Sequence, residues 1–207
     1  MEVTVKEPNE LRAEPEYAEI KIDKWQISVA TAPARKDLPR QRIKIEIANI
    51  PAYTYSYRQL VRNYSVLPDG FSDTLIRVES LDEIMADKLV SLPASTLRIR
   101  YRDMWDLIWL KQQGAKMNVG LVSQKLADYK IENFEQLIQI RIDSLPAIIA
   151  EGHFYNEMTR FIPSAVYETS LGREGFSSFL LDSLSDLLNQ LRTELYAKKN
   201  NPALFKL

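Results

Sequence analysis

Residues 80–92 read SLDEIMADKLVSL, and within this stretch the hydrophobic period of the chain changes from that of strands to that of helices. Ser80 and Glu83 have the spacing of a capping box, in which the serine oxygen accepts an unpaired backbone N–H and the glutamate reaches back. We therefore predict that a helix begins after Ser80 and covers Leu81–Leu92.

Lys88 interrupts the apolar stripe of this predicted helix. At about 100° per residue it falls in the middle of the stripe. The stripe consists of Leu81, Ile84, Met85 and Leu92. Burying an ammonium without a partner is costly, so Lys88 either extends its charge out to water or faces anions. Spacing alone leaves both interpretations open.

The chain before Ser80 has the pattern of strands. Apolar residues alternate with polar ones on both sides of Asp23-Lys24 but out of phase, which predicts a hairpin with its turn there. Three alternating isoleucines predict the clearest strand, Arg42–Ile47. We also expect a short helix over Tyr57–Tyr64 and a strand over Thr74–Val78.

The chain after Ser80 has the pattern of helices. Further helices are predicted over Leu97–Gln112, Val119–Tyr129, Phe134–Ile149 and Ser177–Lys199. Pro146 should start, kink or break the third of these. A leucine stripe on the last helix is first a core face and only second a dimer seam.

These elements predict an α+β protein with three parts. Residues 1–16 are expected to be a weakly ordered lead-in, because they combine prolines and glutamates with few large apolar side chains. Residues 17–112 form the α+β part, and residues 113–207 form a helical part.

Three charged residues of the second helix are of interest. Asp103 lies between Leu107 and Leu110 on the helical projection, which predicts that its carboxylate is half buried. Arg102 and Asp106 have the spacing of a helical surface ion pair, with the base first.

Composition excludes several classes of protein. The net charge of −1 over 207 residues argues against a uniformly basic nucleic-acid coat. The absence of cysteine excludes a disulfide framework and a cysteine zinc site, and a single histidine, His153, argues against a Ser-His-Asp triad. No apolar run has the length of a membrane span, and the acidic N-terminus does not resemble a signal peptide. We therefore expect a soluble, cytoplasmic protein with no membrane role.

Two motifs carry a resemblance to a known family. Glu83–Leu89 reads EIMADKL and Arg102–Leu107 reads RDMWDL. This pattern resembles the AbiEii/AbiGii toxin family of nucleotidyltransferases, in which a helix with an alanine, an acidic residue and a lysine precedes a helix with Arg-Asp and a second aspartate. The resemblance covers roughly residues 17–195. It implies a polymerase-β-like nucleotidyltransferase fold, with an N-terminal mixed sheet and a helical C-terminal lobe, and a role as toxin in a type IV toxin-antitoxin system.

The resemblance also implies roles for individual residues. Lys88 would contact the triphosphate of an NTP substrate or assist the transfer, and Asp103 would complete the active site beside it. The residues implied in binding the nucleotide are Arg98, Arg102 and Asp106. Glu46 would be a carboxylate that binds Mg²⁺, although a solvated partner of Lys44 or Arg42 is an equal interpretation. Such chemistry needs positive charge at the triphosphate and metal-bound carboxylates at the reacting oxygens.

The family's N-terminal metal site is not found in the sequence. The 207 residues contain no Asp-x-Asp, and no glycine precedes Glu46. We therefore expect an incomplete N-terminal sheet and a chain that is inactive alone, so that Mg²⁺ would bind only if further carboxylates are supplied. Its partner would be a separate N-terminal half, an antitoxin or a second copy that pairs along an exposed sheet edge.

A basic segment leaves two non-catalytic alternatives open. Residues 35–62 carry seven arginines and lysines against two acidic residues, interleaved with Tyr53, Tyr55 and Tyr57. This pattern is compatible with binding to RNA. A charged loop beside a sheet edge is the commoner explanation. The chain would then be either an RNA-binding protein or a non-enzymatic interaction module.

Overall fold

The computed structural model describes residues 2–7, 22–62, 64–67 and 69–196. The chain groups into two compact units, Met1–Pro51 and Ala52–Leu207, whereas the sequence had predicted a division after residue 112. The strands and helices of both units confirm the α+β class predicted from the sequence.

The first unit is a three-stranded antiparallel sheet. Its strands are β1 (Glu2–Lys6), β2 (Ile22–Ala30) and β3 (Gln41–Ala48), in the order β1-β2-β3. Trp25 lies opposite Ile45. Since directly opposite residues share a face, one side of the sheet carries the large apolar side chains Val3, Val5, Trp25, Ile27, Val29, Ile43, Ile45 and Ile47.

Strand β2 corrects the predicted hairpin. It runs without interruption through Asp23 and Lys24, which lie opposite Ile47 and Glu46 on β3. The ladder to β3 therefore holds extended a segment that the change of phase had marked as a turn. The apolar residue expected before that turn, Ile20, lies outside the described residues.

The first residues of the predicted lead-in form a strand. Glu2–Lys6 forms β1 and pairs antiparallel with β2, with Val3 opposite Val29 and Val5 opposite Ile27. Alternating valines give this short segment an apolar face even though its composition is acidic. Residues 8–16 of the lead-in lie outside the described residues.

The second unit begins with two antiparallel strands, β4 (Tyr55–Gln59) and β5 (Leu75–Glu79). β4 contradicts the short helix predicted over Tyr57–Tyr64, because its tyrosines alternate with polar residues and pair with β5. β5 confirms the strand predicted over Thr74–Val78 within one residue at each end.

Seven helices follow in the described part of the second unit. They are α1 (Leu81–Ala94), α2 (Tyr101–Gln112), α3 (Val119–Asp128), α4 (Phe134–Ala150), α5 (His153–Met158), α6 (Ser164–Thr169) and α7 (Phe176–Tyr196). Within these described helices, none is long and apolar enough to cross a membrane.

The helices share one hydrophobic core, which includes residues on both sides of position 112. Leu89 of α1, Leu107 of α2 and Ile138 of α4 are fully buried in it. The leucine stripe of α7 is buried in the same core, which confirms its interpretation as a core face. This packing fixes α1 against α2 and so positions the charged residues that face each other between them.

The start of α2 and the role of Pro146 differ from those predicted. α2 begins at Tyr101 rather than Leu97, and Leu97 is almost fully exposed in the preceding loop. Arg100 precedes the helix with a non-helical ψ of 75°. α4 continues through Pro146 to Ala150, so this proline does not break it.

Candidate functional site

Lys88 of α1 places its ammonium between two carboxylates of α2. Its Nζ lies 2.7 Å from Oδ1 of Asp103 and 2.9 Å from Oδ2 of Asp106. The two aspartates are about one helical turn apart, so both face α1. The side chain of Lys88 is 24% exposed. The structure therefore decides between the two interpretations of Lys88, whose charge faces anions.

Asp103 is the most enclosed member of this group. It is 1% exposed, so it is more deeply buried than the half-buried position predicted from the sequence. Its Oδ2 accepts hydrogen bonds from Ser91 Oγ at 2.6 Å and from Nε of Arg100, while Oδ1 accepts from Lys88. A buried carboxylate that accepts three charged or polar donors is satisfied and held in one orientation.

Ion pairing has a larger effect than burial on the pKa values of Lys88 and Asp103. Burial alone would lower the pKa of Lys88, but its hydrogen bonds to Asp103 and Asp106 raise it above the ordinary value. Burial would likewise raise the pKa of Asp103, but hydrogen bonds from Arg100, Lys88 and Ser91 keep it below the ordinary value. Lys88 and Asp103 are therefore both charged at neutral pH.

The predicted surface pair between Arg102 and Asp106 is wrong. Asp106 binds Lys88, whereas Arg102 lies 3.7 Å from Oε1 of Glu157 and stacks 4.0 Å from the centre of the Phe161 ring. The base-first order is the weaker one for a helical pair. Each side chain instead finds its partner on another part of the chain.

The structure also locates Arg98 and Glu46, each within its own unit. Arg98 is exposed in the loop between α1 and α2, outside the helix that had been predicted to carry it. Glu46 belongs to the first unit, where its Oε1 lies 3.8 Å from Nζ of Lys24, its cross-strand neighbour. Its cationic partner is thus Lys24 rather than Lys44 or Arg42.

A second charged cluster was missed from the sequence. Lys125 of α3 is 1% exposed, and its Nζ lies among three carboxylates. The distances are 2.8 Å to Glu83, 3.3 Å to Asp87 and 3.7 Å to Glu79. We call these four residues the Lys125 cluster. Burying so many charges is tolerated only because they are paired with one another.

Glu83 connects the Lys125 cluster to the start of β4. Its carboxylate accepts the backbone N–H groups of Tyr53 and Thr54, at 2.8 and 2.5 Å, and the hydroxyl of Thr54. Burial would raise the pKa of Glu83, but the hydrogen bonds from Lys125, Tyr53 and Thr54 lower it to about 2. Glu83 therefore acts as a charged clamp between α1 and the segment that leads into β4.

These contacts correct one half of the predicted capping box. Ser80 Oγ accepts the backbone N–H of Glu83 at 3.1 Å, as expected. Glu83 does not reach back to the N–H of Ser80, which instead donates to the carbonyl of Thr54 at 3.0 Å. The segment that leads into β4 provides partners for both the carboxylate of Glu83 and the N–H of Ser80. These tertiary contacts replace the second hydrogen bond of the capping box.

The sequence does contain a signal for the Lys125 cluster. Lys125 follows Leu121 and Val122 by four and three positions, so it falls on the apolar stripe of α3 as Lys88 does on α1. Glu83 and Asp87 are four apart on one helix, where like charges repel unless a cation lies between them. The two observations together would have predicted a buried lysine facing α1.

The fit to a divalent metal is poor in the described part of the chain. Within residues 2–7, 22–62, 64–67 and 69–196, no group of three or more histidine, cysteine, aspartate or glutamate residues is arranged to hold a metal ion. Both carboxylate oxygens of Asp103 already accept hydrogen bonds, from Lys88, Arg100 and Ser91. These residues thus form a charge-paired site and not a set of open metal ligands.

Comparison with known proteins gives the family. Neither the curated proteins nor the solved structures contain a match to this chain. A family model described as nucleotidyl transferase AbiEii toxin, type IV TA system, matches residues 2–190. This range covers most of both units and includes the motifs that hold Lys88, Asp103 and Asp106. The chain therefore belongs to the AbiEii family of nucleotidyl transferase toxins of type IV toxin-antitoxin systems.

Proposed function

We propose that this chain is a cytoplasmic nucleotidyltransferase component that uses an NTP as substrate, with RNA or protein as acceptor. The observation that carries the proposal is the ammonium of Lys88, held between Asp103 and Asp106 in the motif that resembles the family. The family also implies an antitoxin as partner.

Lys88 is suited to bind a phosphate oxygen. An ammonium has three N–H donors, and the two aspartates use two of them. The side chain is partly exposed, so a ligand can reach the third donor. Because pairing raises its pKa, Lys88 remains charged and stabilises negative charge on the triphosphate, instead of serving as a base.

We assign supporting roles to the remaining motif residues. Asp103 fixes the position of Lys88, and Asp106, at the more exposed end of the pair, orients the ammonium toward the ligand. Arg98 lies exposed in the loop that precedes α2, where its guanidinium can approach a phosphate. Arg102 is the weakest assignment, since its guanidinium is engaged with Glu157 and Phe161.

We further propose that this chain alone does not catalyse transfer. A two-metal site needs several carboxylates, whereas the sequence has no Asp-x-Asp and Glu46 is the single family carboxylate assigned to Mg²⁺. Activity would then require carboxylates from another polypeptide segment.

Nucleotide binding tests the role of Lys88. Titration calorimetry with each of the four NTPs should show binding that Lys88→Met weakens about tenfold or more, since a hydrogen bond to a charged group contributes about 1.5–3 kcal/mol. Lys111→Met, an exposed lysine at the end of α2, is the matched control and should leave binding unchanged. Equal binding by both variants would remove Lys88 from the site.

Label transfer tests the second part of the proposal. Pure protein incubated with labelled NTP, Mg²⁺ and RNA should transfer no label. Transfer by the pure chain that is abolished by Lys88→Ala would contradict the proposed inactivity while supporting the assigned site.

A non-enzymatic interaction module is the second candidate function. One face of the first unit's sheet carries Val3, Val5, Ile43, Ile45 and Ile47, each about half exposed. Apolar side chains on every strand of a sheet face commonly mark a surface that binds another protein. The binding partner would be an antitoxin, a separate N-terminal half or a second copy of the chain.

Solution scattering tests this second candidate. A homodimer is expected if the sheet binds a second copy, and Ile45→Lys should then produce a monomer because it places a charge in the apolar face. Ile140→Lys, an exposed isoleucine of α4 in the second unit, is the control. A monodisperse monomer of the unmodified protein would contradict the dimer.

A further inference from the structure

One face of the β4-β5 sheet combines exposed tyrosines with arginine. Tyr55 and Tyr57 are two positions apart on β4, so their rings lie on the same face. Arg77 of β5 lies directly opposite Tyr57 and therefore shares that face. Tyr55 is 48% exposed and Tyr57 is 64% exposed. We call Tyr55, Tyr57 and Arg77 the tyrosine-arginine face.

The side chains of this face are held in a defined arrangement. The guanidinium of Arg77 lies 3.5 Å from the centre of the Tyr55 ring, a cation–π contact. The rings of Tyr55 and Tyr57 meet edge-on, with centroids 6.0 Å apart and an interplanar angle of 88°. The contacts to Arg77 and Tyr57 order the side chain of Tyr55, so part of the conformational cost of binding is already met.

A cavity and a charged cluster lie next to this face. A cavity of about 640 Å³ lies beside Tyr55 and is lined also by Arg58 of β4. The nearest acidic residue on the same face, Glu79, is paired with Lys125 at 3.7 Å. Arg77 therefore shares the face of the rings, whereas Arg58, next to Tyr57 in sequence, lies on the opposite face of β4. Glu79 shares the charge of Lys125 with Glu83 and Asp87.

We propose that the tyrosine-arginine face binds single-stranded RNA through its unpaired bases. Every base has a flat π surface that stacks on tyrosine rings or on an arginine guanidinium plane, and arginines contact the adjoining phosphates. This gives Tyr55, Tyr57 and Arg58 of the basic, tyrosine-rich stretch of the sequence a definite position, on β4. Of its other basic residues, Arg35, Lys36, Arg40, Arg42 and Lys44 belong to the first unit.

The inference concerns binding alone and extends the proposed function by giving a place to an RNA acceptor. RNA binding without label transfer leaves it standing. Label transfer that does not depend on Tyr57 leaves the proposed function standing, so the two can fail separately.

Fluorescence anisotropy with labelled RNA of about 12 unpaired nucleotides tests the proposal. Tyr57→Ala should weaken binding about tenfold, because one stacking surface is lost, whereas Tyr57→Phe, which keeps the ring, should bind as the unmodified protein does. Tyr64→Ala removes an exposed tyrosine outside the sheet and is the matched control. Circular dichroism of each variant verifies that the fold is intact.

A salt series adds a second measurement. Arg77→Gln should weaken binding and reduce the slope of log K against log salt by about 0.7, as expected for one phosphate contact to a single strand. A duplex of the same sequence should bind more weakly, because its bases are not available for stacking.

Three results would overturn the proposal. Undiminished binding by Tyr57→Ala would show that the ring is not used. Displacement of the RNA by an equal concentration of a free NTP would reassign the face to single nucleotides. No RNA binding at about 50 mM salt would leave the face to a protein partner.

Discussion

Lys125→Met is the substitution with the largest expected effect on stability. It keeps most of the aliphatic volume and removes one positive charge from among Glu83, Asp87 and Glu79. Breaking a buried pair by removing one partner costs about 3–5 kcal/mol, because the remaining charge is buried without compensation. Lys125 and Glu83 are both essentially inaccessible, so we expect a loss within this range. Total stabilities of about 5–15 kcal/mol make such a loss easy to measure.

The loss of stability should depend on pH, and the direction of this dependence follows from the pKa values of the carboxylates around Lys125. Burial raises the pKa of Asp87 and of Glu79 above their ordinary values, and the charge of Lys125 counteracts this. Without Lys125 both pKa values rise further, so the folded variant takes up protons that the unfolded chain does not. Its deficit relative to the unmodified protein should therefore be larger at about pH 8 than at about pH 5.

Urea unfolding followed by circular dichroism at both pH values measures this deficit. Lys111→Met, at an exposed position, is the control and should change the free energy of unfolding by less than about 0.5 kcal/mol. The double variant Lys125→Met/Glu83→Gln should lose less than the sum of its single variants, since they share one interaction. A loss below about 1 kcal/mol, or one that does not change with pH, would refute the reasoning.

Three further predictions concern the same unit. Because the pKa of Glu83 is lowered from 4.5 to about 2, its contribution of about 3 kcal/mol is complete above pH 4.5 and is lost as the pH falls toward 2, so Glu83→Gln should flatten acid unfolding curves over that window. Asp103→Asn leaves Lys88 with a weaker partner and should lower the urea midpoint, and a midpoint unchanged at neutral pH would argue against a buried charge there. Leu107→Ala should cost about 2–5 kcal/mol in the same urea assay because Leu107 is fully buried, whereas a loss under 1 kcal/mol would mean that the core closes around the gap.

Helix α1 was predictable from the sequence because its signals are local. Ser80 caps the helix through the N–H of Glu83, three residues away, and the apolar period of the following residues is that of a buried helix face. The same period identified Lys88 as a lysine within an apolar stripe and left open whether its charge reaches water or faces anions. Asp103 could be placed beside it because the resemblance to the family implies this, whereas the contact of Lys88 with Asp106 was not predicted.

The Lys125 cluster was not predicted because its members come from β5, α1 and α3, and only tertiary packing brings them together. The capping box failed for a related reason, since the β4 segment lies far from Glu83 in sequence and still outcompetes Ser80 for its carboxylate. β4 itself was taken for a helix because its pairing with β5 is a non-local contact that propensity does not record. Local sequence rules therefore predicted the cap of α1 and the buried faces of the helices. The features that were mispredicted or missed depend on contacts between residues far apart in sequence.

Lys88 and Lys125 both interrupt apolar stripes, but they differ in how accessible they are to a ligand. Both Lys88 and Lys125 face carboxylates, and pairing raises both pKa values. Lys125 is enclosed by three carboxylates and is not accessible to a ligand. Lys88 has two carboxylates, a partly exposed side chain and a third donor. Because α1 carries Glu83 and Lys88 together, the Lys125 cluster fixes the helix on one side so that the ammonium on the other keeps a constant position. Under the proposed function, Lys88 would bind the NTP without any rearrangement of the helix.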